Sequence, residues 1–131
     1  MSKAVDFLNE AGTFYVATVE GDQPHVRPFG AVIDYAGKAY FCTNNRKNVF
    51  RQLMANPRVE ISACKPDGTW IRITGRAVFD PSDEVRAAML AAKPGLRNIY
   101  AVGDGLFEVF YLEGATATIY ARGQEPDTFA L

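Results

Sequence analysis

Apolar positions along the chain change period several times, and each change predicts an element. Val5, Leu8 and Ala11 recur at helical spacing behind Ser2, which predicts a short capped helix ended by Gly12. Thr13 to Glu20 is rich in β-branched and aromatic residues and reads as a strand. After the turn Gly21-Asp22-Gln23-Pro24, His25 to Tyr35 forms a second extended run. Pro28 limits its pairing, and Gly30 permits a bulge or a close backbone approach. Ala36-Gly37-Lys38 then turns the chain into a strand over Ala39–Thr43. Val49, Phe50, Leu53 and Met54 return to helical spacing, with Asn44 or Asn45 as the expected cap and Asn56-Pro57 as the stop.

Alternation resumes at Arg58–Lys65, where Val59, Ile61 and Ala63 oppose Arg58, Glu60 and Ser62. Pro66-Asp67-Gly68-Thr69 is a strong turn signal, and Trp70–Phe79 follows as a long strand broken at Gly75. Asp80-Pro81-Ser82-Asp83 supplies a cap, a proline at the first helical position and an acid in the first turn. The helix it opens runs through Val85, Ala88, Met89 and Ala92 to Pro94-Gly95, with a short helical piece expected within Leu96–Val102. Leu106–Leu112 and Ala115–Arg122 read as two strands joined around Glu113-Gly114. The tail from Gly123 reads as loose, with Phe129 and Leu131 able to dock. About six strands joined by short turns imply antiparallel neighbours. So many strands in a small chain favour closure into a barrel, which removes exposed edges. The expectation is one α+β domain over residues 1–131, a six-stranded antiparallel barrel with two to three flanking helices.

Composition narrows the partners. The chain is 48% hydrophobic and 22% charged with a net charge of −1, so no general attraction to nucleic acid or an anionic membrane is expected. Any anion site must be local. Two cysteines, Cys42 and Cys64, lie in apolar strand-like runs without metal-type spacing and read as buried free thiols of a reducing compartment. One histidine in the whole chain argues against a structural zinc site. Without a leader pattern or an apolar run of about 18 residues, the protein reads as cytoplasmic.

The stretch from Thr43 to Leu53 carries the chemistry. Arg46 and Lys47 fall at the start of the middle helix, where the helix dipole favours acids and each cation costs about 0.3–1 kcal/mol. A bound anion would remove that conflict, because free amides at a helix start already favour one. The other reading has both side chains in solvent at little cost, and this stretch alone leaves the two open.

Three strings in this order resemble the FMN-binding split barrels of the pyridoxamine 5′-phosphate oxidase-like family. They are His25-Val26-Arg27-Pro28-Phe29-Gly30, Phe41-Cys42-Thr43-Asn44-Asn45-Arg46-Lys47, and Asn56-Pro57-Arg58-Val59 followed by Trp70-Ile71-Arg72-Ile73-Thr74-Gly75-Arg76-Ala77. The resemblance spans nearly the whole chain and is closest to the family's short flavin-binding members. It implies a split barrel, and a homodimer with FMN at the subunit interface. Arg27 would approach the ribityl–phosphate region, and Pro28, Phe29 and Gly30 would line the flavin's polar edge. Cys42 and Thr43 would touch the ring or ribityl chain. Arg46 and Lys47, just after Asn44, would hold the phosphate. Trp70 stands where the family's oxidases place a glutamine that reaches FMN, and Phe29, Phe41 and Trp70 would wall the ring.

The departures bear on activity. Val32 stands where the oxidases carry a basic residue, the Thr43–Lys47 loop is shorter, and Gly123–Leu131 holds neither histidine nor arginine. Oxidation of pyridoxamine phosphate is therefore not expected. The resemblance points to an FMN-dependent reductase of a small acceptor, with a nicotinamide nucleotide as a possible donor. A non-catalytic flavin carrier or sensor, a haem-binding relative with His25 as the sole histidine ligand, and a deazaflavin-using relative stand as alternatives. Nine Phe, six Tyr and one Trp add a second motive for a dimer, since some should lie at an interface.

Overall fold

The computed structural model describes residues 2–131. Helix α1 (Lys3–Ala11) is capped by Ser2, whose hydroxyl accepts from the Val5 amide, and closes at Gly12 with φ 85°. Strands β1 (Phe14–Glu20), β2 (Gln23–Phe29), β3 (Val32–Tyr35) and β4 (Lys38–Asn44) follow, then helix α2 (Asn48–Ala55). Strands β5 (Arg58–Cys64) and β6 (Trp70–Asp80) precede helix α3 (Asp83–Ala92) and a 3-10 turn at Pro94–Asn98. Strands β7 (Phe107–Tyr120) and β8 (Asp127–Ala130) end the chain. No helix among the described residues is long and apolar enough to cross a membrane.

All strands belong to one antiparallel sheet in the order β2-β1-β5-β6-β7-β4-β3, with β8 beside β7. Its two edge strands, β2 and β3, are joined by Gly30-Ala31 alone. Two residues span only about 7 Å, so the ends of the sheet must meet in space. They meet without pairing. The sheet is thus rolled into a barrel that is split along one seam, and the α+β split barrel expected from the sequence is the fold observed.

The strand count differs, being eight and not six. His25–Tyr35 is two strands, because the chain leaves the ladder at Gly30-Ala31. Leu106–Arg122 is one strand, because Glu113-Gly114 forms a bulge and not a turn. Its register against β6 shifts between Thr74/Thr116 and Arg76/Glu113. Gly75, expected to break β6, lies opposite that bulge, where an added Cβ would sit 3.1 Å from the Ala115 Cβ. Beyond the bulge β7 exchanges its neighbour β4 for β8, so the tail is a strand with Phe129 packed on the core.

The barrel interior holds Phe14, Val16, Phe41, Ile61, Ile71, Ile73 and Phe110, with Val5 and Leu8 of α1 and Val49 and Leu53 of α2 closing it. Helix α3 covers the outer face of β3, β4 and β7 through Val85, Met89 and Leu90. Met89 is buried as expected, but Met54 is 61% exposed, and Cys64, expected to be buried, falls on the exposed side of the alternation along β5. Among the aromatics Tyr15 is exposed, Phe7, Phe14, Tyr40, Phe41, Phe107 and Phe110 are buried, and the rest are partly buried.

Candidate functional site

The seam opens into a cavity of about 560 Å³, within the size range of small-molecule sites. Arg27, Pro28, Phe29 and Gly30 form one wall as β2 leaves the sheet. Cys42, Thr43 and Lys47 form the floor from β4 into α2. A further wall comes from the end of α3 and the 3-10 turn, with Lys93, Pro94, Leu96, Ile99 and Tyr100. That wall escaped the sequence reading, because nothing local ties residues 93–100 to β2. The Asn44 side chain fastens it, donating to the Tyr100 hydroxyl at 2.7 Å.

The burial of β2 alternates, with His25, Arg27 and Phe29 partly covered and Pro24, Val26 and Pro28 exposed. Arg27 therefore faces the barrel interior. Its Nη1 donates to Thr18 Oγ1 at 2.7 Å and to the Val16 carbonyl at 3.2 Å, and its Nη2 to Gln52 Oε1 at 2.5 Å. Desolvation by burial pulls this guanidinium below its ordinary pKa, although arginine stays charged in proteins.

Helix α2 starts later than expected. Asn44 and Asn45 do not cap it; Lys47 occupies the cap position and makes no side-chain cap hydrogen bond. Asn44 Oδ1 accepts from the Arg46 amide at 3.0 Å, and Asn45 Nδ2 donates to the Gly105 carbonyl and to Glu108. Both asparagines thus build the turn ahead of the helix. Arg46 is exposed in that turn, so only Lys47 of the two cations reaches the cavity wall. No ion pair among the described residues involves Arg27, Arg46 or Lys47, and the cavity lining contains no carboxylate.

Thr43 adds a second unmet demand. Its hydroxyl is the sole buried side-chain polar atom without a hydrogen-bond partner among the described residues, on a side chain only 4% exposed. Such a group costs about 1–3 kcal/mol unless something bonds to it. Cys42 beside it is a free thiol whose pKa burial pushes up to about 11, with Lys47 opposing, so it is protonated at neutral pH.

Other expected residues lie elsewhere. Trp70 stacks on Tyr120 at 4.3 Å with Arg72 near its face, and does not line the cavity. Phe41 is fully buried and stacks on Phe110 at 5.5 Å, so Phe29 is the one expected wall residue that the cavity keeps. His25 sits 3.5 Å from Glu20, outside the lining.

A lining that combines two cations and an orphaned hydroxyl with the apolar side chains of Phe29, Leu96 and Ile99 suits a flat ligand carrying an anionic group. A NimC/NimA family protein from Clostridium acetobutylicum is 49% identical with a TM-score of 0.96, over 98% of this chain and 90% of that one. A pyridoxamine 5′-phosphate oxidase-related, FMN binding protein from Nostoc punctiforme shares the fold at 15% identity and TM-score 0.62, over 97% of this chain and 91% of that one. A heme binding protein from Mycobacterium smegmatis does so at 19% identity and TM-score 0.76, over 99% of this chain and 58% of that one. No curated protein matches. The pyridoxamine 5′-phosphate oxidase family model matches residues 1–121, which takes in the whole seam and its cavity, and the chain belongs to that family.

Proposed function

We propose that this chain binds FMN in the seam cavity and acts as an FMN-dependent oxidoreductase on a small acceptor, not as a pyridoxamine phosphate oxidase. The observation that carries this reading is a lining unsatisfied in charge, at Arg27 and Lys47, and in hydrogen bonding, at the Thr43 hydroxyl. A phosphomonoester carries about −1.5 to −2 charge near neutral pH, which two cations offset. Each charge-assisted hydrogen bond to it contributes roughly 1.5–3 kcal/mol. Bound FMN would supply the electron-transfer chemistry, leaving the protein to position it. Lys47 and Arg27 would hold the phosphate, with Arg46 at the rim. Thr43 would donate to the ribityl chain, and the backbone from Pro28 to Gly30 would meet the ring's polar edge. Phe29, Leu96 and Ile99 would exclude water from its face.

A second copy of the chain would complete the site. The exposed face of β2 and β1 brings Pro24, Val26 and Pro28 beside Val19, Ala17 and Tyr15, since paired residues share a face. Val26 is 67% and Tyr15 49% exposed, an apolar strip running up to the cavity lip. The free thiols of Cys42 and Cys64 support a reducing compartment such as the cytoplasm.

The test is to load purified protein with FMN, desalt it, and add a nicotinamide nucleotide with candidate acceptors. Retained yellow colour and steady nucleotide oxidation are expected. A colourless protein overturns the cofactor assignment, and a yellow protein without turnover makes it a carrier.

A further inference from the structure

Helix α2 carries one polar residue on its buried face. Gln52 is 4% exposed, and Thr18 of β1, its hydrogen-bond partner, is 1% exposed. Thr18 Oγ1 donates to Gln52 Oε1 at 2.5 Å while accepting from Arg27 Nη1, and Gln52 Oε1 also accepts from Arg27 Nη2. Three elements, β1, β2 and α2, thus converge on one guanidinium. Its fork is fixed through Nη1 and Nη2, which leaves the Nε–H and the second Nη2–H for another partner.

The chemistry of this cluster is selective. A partly buried guanidinium can take a carboxylate partner, and glutamate in place of Gln52 would supply one by exchanging a single amide nitrogen for oxygen, while setting a second carboxylate near Glu20. Gln52 and Thr18 instead orient the cation without neutralising it. We propose that Gln52 is a positioning residue, whose amide oxygen, with the Thr18 hydroxyl, holds the Arg27 guanidinium as an uncompensated cation for the anionic group of the cavity ligand. This rests on the reading that the ligand is FMN, and it assigns a role to a side chain that does not line the cavity.

A purely structural role for Gln52 would affect all ligands alike, so comparing FMN with riboflavin, the same ring without phosphate, separates the two roles. Wild-type protein should bind FMN more tightly than riboflavin. Gln52→Glu places a resident carboxylate on Arg27 and should weaken FMN by about 100-fold while leaving riboflavin within about threefold. Thr18→Val should weaken FMN by about tenfold with the same selectivity. Gln52→Met, which keeps the bulk but not the oxygen, carries the test at about tenfold if a buried carboxylate prevents folding. Equal losses for both flavins in these variants, or none for either, overturn the role of Gln52 and leave the FMN reading standing. Wild-type protein that binds both flavins equally, or neither, overturns the phosphate reading and the role of Gln52 with it.

Discussion

Helices α2 and α3 begin in opposite ways. Ser82 caps α3 with a hydroxyl that accepts from the Val85 amide, and Asp83 and Glu84 fill its first turn. Arg86 then ties that turn to the sheet through Asp83, Glu108 and the Phe107 carbonyl. This start is satisfied from within the chain. Helix α2 has a lysine at the cap, no side-chain cap hydrogen bond and no acid in its first turn. It opens beside a buried hydroxyl that bonds to nothing and an arginine held without a counter-ion. One start is finished by the protein; the other is left open to a ligand.

Exchanging the character of the two starts gives the largest effect. Lys47→Asp gives α2 a side-chain cap, as Ser82 gives α3, and a negative charge at its start like those of Asp83 and Glu84, so the apoprotein should gain about 0.5–1 kcal/mol in chemical denaturation. The same change should weaken FMN by about 100-fold in fluorescence titration, since an attractive charge becomes a repulsive one. A joint rise or a joint fall would break the comparison. Thr43→Val should weaken FMN by about tenfold and stabilise the apoprotein by about 1 kcal/mol, because it removes a hydroxyl that is unsatisfied until the ligand arrives. Ser82→Ala should cost about 1 kcal/mol of stability and leave FMN affinity unchanged.

The effect that is smallest at neutral pH is a slope confined to alkaline pH. Burial raises the Cys42 thiol from an ordinary 9.0 to about 11, so the folded protein holds that proton longer than the unfolded chain. The resulting contribution is fully present below the unfolded value and is lost as pH rises through the folded one. Stability should therefore decline between pH 9 and 11, and Cys42→Ala should flatten that decline. Alkylation at neutral pH should reach exposed Cys64 well before Cys42, and loading with FMN should slow Cys42 further.

The family resemblance pointed to the residues of the cavity floor and one wall, since its motifs at Arg27–Gly30 and Cys42–Lys47 are each contiguous, whereas local signals alone singled out only Arg46 and Lys47. Those signals misplaced both caps by a few residues. Asn44, Asn45 and Asp80 are good caps by type, but each is already engaged. Asn44 and Asn45 fasten the turn, while Asp80 accepts from the Tyr40 hydroxyl and from the Ser82 amide. Glycine misled twice, since Gly114 marks a bulge inside one strand whereas Gly30 marks the seam between two. The wall at residues 93–100 joins β2 only through the tertiary fold, and no local pattern carries that. Gln52 did leave a trace: Val49, Gln52 and Leu53 fall at i, i+3 and i+4, so helical periodicity places it on the buried face. A search confined to apolar residues passed over it. Trp70 differs again: the family pattern suggests a ligand contact there, and within one chain it makes an aromatic stack with Tyr120 outside the cavity lining.

A crystal structure of the protein with FMN tests the central claim most directly. The phosphate should lie at the opening of α2, within hydrogen-bonding distance of Lys47 Nζ and the free N–H groups of Arg27, with the Thr43 hydroxyl bonded to the same ligand. A phosphate bound away from that opening, with Thr43 still unpartnered and Lys47 in solvent, would contradict it.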